Sequence, residues 1–264
     1  MSLSDAPESP GLLKRRLGSA LVAVVVVGLF VLSARQTGVE PGTLATELPT
    51  LFSFTLELFP PAWGFWSESI GPMLETIQIA IISTTVGAVL SIPFGFMAAR
   101  NVMTSVAGYG AVRTVLSIFR TLPEIIVAAV FVAAVGLGPL AGVMALILFT
   151  FGFVAKLLSE SIEAIDPGPP EAIRASGANS AQVAVFGILP QVLPQFLSYS
   201  LYSFEVNVRV AVVLGIVGAG GIGQLMLQTF QFLQYDRLST IIIVIFVAVV
   251  LIDYLSNRLR RELV

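Results

Sequence analysis

The run VGAGGIG at residues 217–223 sets Gly218, Gly220 and Gly223 in a G-x-G-x-x-G pattern. At that spacing a glycine-rich turn lets backbone N–H groups approach the pyrophosphate of a dinucleotide. Such a site needs a short strand before the glycines, a helix after them and an acidic residue about 20 positions on, at the end of the next strand. Asp236 has the right type, but the apolar run LSTIIIVIFVAVVLI that would form that strand follows it instead of preceding it. The apolar segment before the glycines, 194–217, is also far longer than a strand of about six residues. The dinucleotide reading fails on order and on length.

Two further sets of residues could do electrostatic work. Arg120 and Glu124 in FRTLPEI, and Glu205 and Arg209 in FEVNVR, are opposite charges four residues apart inside apolar runs. Four residues is the spacing of an ion pair on one helix face, although Pro123 can distort the first pair. Charges inside a membrane face a bundle interior or an aqueous path, so each pair either fixes helix register or lines a translocation pathway. Asn207, offset by two from both charges of its pair, points elsewhere and is placed to hydrogen-bond a neighbouring helix. The chain has no histidine and no cysteine. Disulfides, thiolate metal sites, His-ligated haem and Cys or His nucleophiles are thereby excluded. The carboxylates are scattered, which leaves a membrane hydrolase or transferase without a base cluster.

The elements that must position these residues are membrane spans. The sequence is 56% hydrophobic and 11% charged, with a mean hydropathy of +0.94, against about 25% charged in an ordinary soluble domain. A net charge of −2 and basic residues gathered at span ends give no stripe for nucleic acid. Six apolar segments read as helical spans: 17–34, 70–99, 112–135, 139–158, 194–217 and 238–255. Leu32 fits poorly three residues before a signal cleavage after Ala34, so the first span reads as an uncleaved anchor behind a cytoplasmic tail, 1–16. An all-α polytopic protein follows, with a core of five spans over 70–258 and a short tail, 259–264.

Lys14, Arg15, Arg16, Arg100, Arg113, Lys156, Arg174, Arg258, Arg260 and Arg261 fall on one side of these spans, and Arg35 and Arg237 on the other. The positive-inside rule then places both termini in the cytoplasm. The outer loop, 35–69, carries an amphipathic piece, LPTLFSFTLELF, and two tryptophans, Trp63 and Trp66, that suit a membrane interface. The inner loop, 159–192, is long for a connection, and its punctuation describes two short helices. Pro167, Pro169 and Pro170 fit a first turn, Glu171 suits the positive end of the helix dipole, and Gly177 fits a left-handed cap. A second helix should start near Asn179 or Ser180 and stop around Pro190.

The run EAIRASGANSAQVAVFGILPQ resembles the EAA loop of bacterial ABC-importer permeases, on Glu171, Ala172, Ile173, Gly177, Ile188, Leu189 and Pro190. Ile173 departs from the second alanine of that pattern. Further segments, LFPPAW, ETIQIA, IPFGFMAARN, FRTLPEI, GLGPLAGVMAL, LPQVLPQF, FEVNVR and VLGIVGAGGIG, are similar in order to the phosphonate-uptake permease subfamily. The resemblance runs from Phe59 onward and implies a type I importer permease fold. It implies a homodimer, two cytoplasmic ATPase subunits that bind ATP and Mg, an extracytoplasmic binding protein and a bacterial inner membrane. The loop would then be the coupling helix that docks on the ATPase, with Ser176 among the small residues that allow close approach. This chain has no G-x-x-x-x-G-K-[ST] phosphate loop, so the resemblance implies no cofactor of its own. A permease for another solute, such as phosphate, phosphite or an amino acid, would carry the same loop, whereas a passive channel would have no use for it. Within this frame Gly215, Gly218, Gly220, Gly221 and Gly223 sit at the outer end of the fifth span. They favour a helix break or close packing near an outer gate, or alternatively a backbone cradle for substrate oxyanions.

Overall fold

A computed structural model of the chain describes residues 12–38 and 41–263. Most of the N-terminal tail therefore lies outside the described residues. Two compact units divide the chain, Met1–Glu57 and Leu58–Val264. The first holds α1 (Leu12–Gln36) and α2 (Pro41–Glu57). The stretch Gly18–Gln36 of α1 is apolar and long enough to cross a bilayer, and α2 contains the amphipathic piece expected at an interface as far as Glu57.

In the second unit a short turn, Trp63–Phe65, leads into α3 (Trp66–Met97). There follow α4 (Val106–Thr121), α5 (Glu124–Val135), α6 (Pro139–Glu163), α7 (Gly168–Ala175), α8 (Ser180–Val183), α9 (Leu189–Ile216), α10 (Ile222–Gln231) and α11 (Tyr235–Leu263). No strand occurs among the described residues. The 32 residues of α3 rise about 48 Å, more than the roughly 30 Å of a hydrocarbon layer, so this helix runs beyond the bilayer or tilts in it.

Small and hydroxylated residues hold α3 close to α6. Ser69, Thr76, Ser83, Gly87, Ser91 and Gly95 form a buried stripe on α3. A Cβ on Gly87 would stand 2.7 Å from Thr150 Cβ, and one on Gly95 would stand 2.7 Å from Leu158 Cδ2. In lipid, where apolar burial gives little preference for protein over acyl chains, such close approach supplies the dispersion that binds helices. The hydroxyls cost nothing there because they donate back along the helix, Ser69 to Phe65 O (2.9 Å), Ser83 to Ile79 O (2.7 Å) and Ser91 to Ala88 O (2.7 Å).

Two expected elements take a different form. The third span is not one helix over 112–135: α4 and α5 meet at 87°. Leu122 is extended (φ −78°, ψ 122°), the conformation that a following proline imposes, and Pro123 has no N–H to continue the ladder. The second loop helix does not stop at Pro190 either. Asn179 caps α8 with a capping box, its side chain accepting from Gln182 N at 2.9 Å. A five-residue π-turn, Ala184–Ile188, then carries the chain into α9, with Pro190 in the first turn. A proline is tolerated there because its missing N–H is one the helix start leaves unused. The fifth span therefore begins at Leu189, five residues before the expected Pro194.

Candidate functional site

The loop over 159–192 folds back on the start of α9. Pro167 precedes α7, and Pro169 and Pro170 occupy its first turn as expected. Gly177 ends the piece with φ +89°, which glycine adopts without a Cβ penalty. Pro170 is buried and Ile173 partly so, while Glu171, Ala172, Arg174, Ala175 and Ser176 are exposed. The inner face of α7 rests on the π-turn: a Cβ on Gly187 would stand 3.0 Å from Pro170 Cα and 3.3 Å from Ile173 Cδ1. Ile173, the residue that departs from the alanine pattern, thus packs inward against a glycine, and the small residues face out.

Gln191 ties this loop to the membrane helix. Its amide nitrogen donates to Gly187 O at 2.7 Å and Asp166 O at 3.3 Å, and its oxygen accepts from Asp166 N at 3.2 Å. Nothing in the loop pattern singled Gln191 out; it is legible only once α7 and α9 are in place. Ile188 is buried with Leu158, Ile162 and Val192, so the I-x-L-P end of the pattern anchors the loop in the bundle.

The two charged pairs part company. Arg120 lies in the last turn of α4 and Glu124 begins α5, so the bend removes them from a common helix face. Among the described residues no ion pair joins either of them to a partner. Glu205 and Arg209 do share a face of α9, but their side chains are 3.9 Å apart at best. Glu205 instead accepts from Arg260 Nη2 at 2.5 Å, and Arg209 Nη2 lies 3.2 Å from Asp253 Oδ1, both partners being on α11. The result is a balanced square of two cations and two carboxylates that fixes the register of α9 on α11. Sequence spacing missed Asp253 and Arg260 because they are local to neither residue.

Asn207 reaches two neighbouring helices, as its offset implied. Its Nδ2 donates to Thr84 Oγ1 on α3 (2.7 Å) and to Thr150 Oγ1 on α6 (2.8 Å), and the residue is fully buried. It joins three helices at their mutual contact.

At the other end of α9 the glycines reverse the chain. Gly218, Gly220 and Gly221 have φ of +90°, +82° and +73°, and α10 folds back against α9. A Cβ on Gly215 would stand 2.6 Å from Gly220 O and 2.7 Å from Gly223 Cα. The turn is also tied to its neighbours: Gly138 N donates to Gly218 O at 2.9 Å, Gly221 N to Glu75 Oε1 at 3.2 Å and Ile222 N to Thr76 Oγ1 at 2.8 Å. Two N–H groups that a cradle would offer to an oxyanion are therefore already held by α3. The geometry is that of a break and a close packing contact.

Residues 91–263 match the family described as binding-protein-dependent transport system inner membrane component. A phosphite transport system permease protein, PtxC of Stutzerimonas stutzeri, is 38% identical over 94% of this chain and 90% of its own length. The chain belongs to this family of inner membrane transport components. A phosphate-import permease protein, PhnE of Mycolicibacterium smegmatis, is 39% identical over 98% of this chain, which spans only 49% of that relative. Among solved structures, an inward-facing MetNI methionine ABC transporter superposes with a TM-score of 0.66 at 25% identity, covering 74% of this chain and 96% of the other. The region matched to the inner membrane components contains the loop, the charge square and the glycine turn. Glu75 and Thr76, which hold that turn from α3, lie before it.

Because Gln191 is the polar tie between loop and span in this transport component, Gln191→Leu should loosen α7 on α9 without disturbing the apolar core. Loss of two or three hydrogen bonds at a half-buried site amounts to about 1–3 kcal/mol. Hydrogen exchange over 166–191 should rise while exchange in α3 and α6 stays unchanged. Equal protection in the variant would remove Gln191 from this role.

Proposed function

We propose that this chain is the permease subunit of an ATP-driven importer and carries a phosphorus oxyanion, of the phosphonate class, by alternating access. The observation that carries the reading is the loop: a short helix anchored inward by Pro170, Ile173 and Ile188 and presenting Glu171, Ala172, Ala175 and Ser176 outward. That is the surface a coupling helix needs. The substrate class rests on relatives named for phosphite and phosphate import, at 38% and 39% identity, against 25% for the methionine transporter.

In this reading two copies of the chain enclose the path, two ATPase subunits bind ATP and Mg beneath α7, and an extracytoplasmic binding protein delivers the substrate. Both termini face the cytoplasm of a bacterial inner membrane, on the side of the coupling loop. The outer turn of glycines holds the α9–α10 reversal at the extracytoplasmic end, where a gate would open.

Glu171→Lys sets a cation at the positive end of α7 and reverses the charge offered to the ATPase. Gly177→Val puts a β-branched residue at φ +89°, a strain of about 1–2 kcal/mol or more. Each should sharply reduce uptake and binding-protein-stimulated ATP hydrolysis in the assembled complex, with membrane insertion unchanged. Wild-type uptake and ATP hydrolysis in both variants would show that α7 is not the coupling helix.

A further inference from the structure

We propose that Arg120 is a mid-membrane waypoint for the substrate oxyanion, an assignment that rests on the importer reading above. Three observations lead to it. The first is charge. Among the described basic residues on the bundle's helices, Arg113 pairs with Glu163 at 3.2 Å, Lys156 with Glu160 at 3.0 Å, Arg209 with Asp253 at 3.2 Å and Arg260 with Glu205 at 2.5 Å. Among the described residues Arg120 has no carboxylate partner, its side chain is exposed, and the nearest candidate in sequence, Glu124, stands beyond the bend. The field of Arg120 is therefore uncompensated among the described residues.

The second observation is depth. The glycine turn 136–138 joins α5 to α6. From that turn the 12 residues of α5 run about 18 Å back to the bend beside Arg120. Along α6 the same turn is about 20 Å from Gly152, and a Cβ on Gly152 would stand 3.6 Å from Arg120 Cγ. Two legs of the fold agree on the depth. With the turn at the membrane surface, Arg120 lies past the middle of a hydrocarbon layer about 30 Å thick. A bare guanidinium there is too costly to face acyl chains, so it faces a water-filled or substrate-filled path.

The third observation is the bend itself. An 87° break at Leu122–Pro123 interrupts a span that would otherwise satisfy its own backbone, and irregular backbone at membrane depth is tolerated only in protein or beside an aqueous cavity. Interrupted spans mark substrate sites in transporters of other folds. The stem of Arg120 packs against α6 at Gly152, one turn from the break. Passage requires a site that binds weakly enough to release. One exposed arginine from each of the two copies, able to form a bidentate contact with a phosphonate or phosphite but with no further cation of its own copy beside it, meets that requirement.

The test uses the assembled complex of permease, ATPases and binding protein in proteoliposomes, with phosphite and methylphosphonate as probes at saturating binding protein. Arg120→Gln should lower maximal uptake at least about tenfold, while binding-protein-stimulated ATP hydrolysis stays within about twofold. Arg120→Lys keeps the charge and should recover a large part of the uptake. Uptake unchanged in Arg120→Gln overturns the waypoint and leaves the importer reading intact. Loss of assembly or of ATP hydrolysis in Arg120→Gln, or no recovery in Arg120→Lys, assigns Arg120 to structure and overturns it as well. A wild-type complex that moves neither probe but moves another solute defeats the substrate reading itself, a result separable from the other three.

Discussion

Glu205→Gln should destabilise the membrane-inserted chain by about 3–5 kcal/mol, whereas Asp253→Asn should cost less than about 1 kcal/mol. The two carboxylates belong to one charge square but differ in burial. Glu205 has 7% of its side chain exposed and meets Arg260 at 2.5 Å. Asp253 and Arg209 are 38% and 48% exposed and 3.2 Å apart. Removing Glu205 leaves the guanidinium of Arg260, whose buried Nε already has no hydrogen-bond partner among the described residues, uncompensated. Asp253 stands two residues from the end of the sixth apolar segment, 238–255, so interfacial water can take over when it is lost. The double change of Glu205 and Arg260 to Gln should recover most of the loss, because an apolar or neutral pair replaces a buried ion pair at little cost. Unfolding by SDS in mixed micelles would measure the cycle. A larger coupling energy for Glu205 with Arg209 than with Arg260 would show that sequence spacing, and not the cross-helix contact, describes this pair.

That contrast shows where the sequence was legible. Apolar run length alone located α3, α6 and α11, since in lipid the length of the span is set by the bilayer. Asn207 could be separated from its charged neighbours because an offset of two turns a side chain away from its helix face, and it does hydrogen-bond α3 and α6. The partners of Glu205 and Arg209 were beyond such reasoning. They lie 55 and 44 positions away, and Arg260 was fully accounted for as a cytoplasmic charge by the positive-inside rule. The bend in the third span was legible only as a distortion at Pro123, and its 87° break was hidden for a different reason. An apolar run with one proline reads the same whether the helix continues through it or breaks, because neighbouring helices can satisfy the freed backbone groups in either case.

The loop shows a third kind of limit. Its caps were readable at Pro169, Gly177 and Asn179 because each acts on its own backbone. Its end was not, since the π-turn at Ala184–Ile188 absorbs Pro190 into the start of α9, and nothing local distinguishes that from a stop. What the pattern E-A-I conceals is orientation. Ile173 turns inward on Gly187, so the position that departs from the family pattern belongs to the fold and the unchanged ones to the exposed surface.

The glycine crossing carries the second large effect: Gly223→Ala and Gly215→Ala should each cost about 3 kcal/mol or more, at or beyond the upper end for overpacking. A Cβ on Gly223 would collide with the carbonyl oxygen of Val212, and one on Gly215 would stand 2.6 Å from Gly220 O. These are backbone atoms of α9 and the turn, so no rotamer change relieves them and α10 must move bodily away. The movement would also strain the hydrogen bonds from Gly221 N and Ile222 N to Glu75 and Thr76. Helix propensity works the other way by only about 1 kcal/mol. Gly71→Ala in α3, where a Cβ meets nothing within 4 Å, isolates that opposing term and should be neutral or stabilising by up to about 1 kcal/mol. SDS unfolding of the three variants separates the alternatives. If Gly215→Ala and Gly223→Ala match Gly71→Ala, the reversal is loosely packed and the glycines are there for turn conformation alone. If only the two crossing variants collapse, the contact of α10 on α9 is a rigid joint, and any outer gate must open by moving the two helices together.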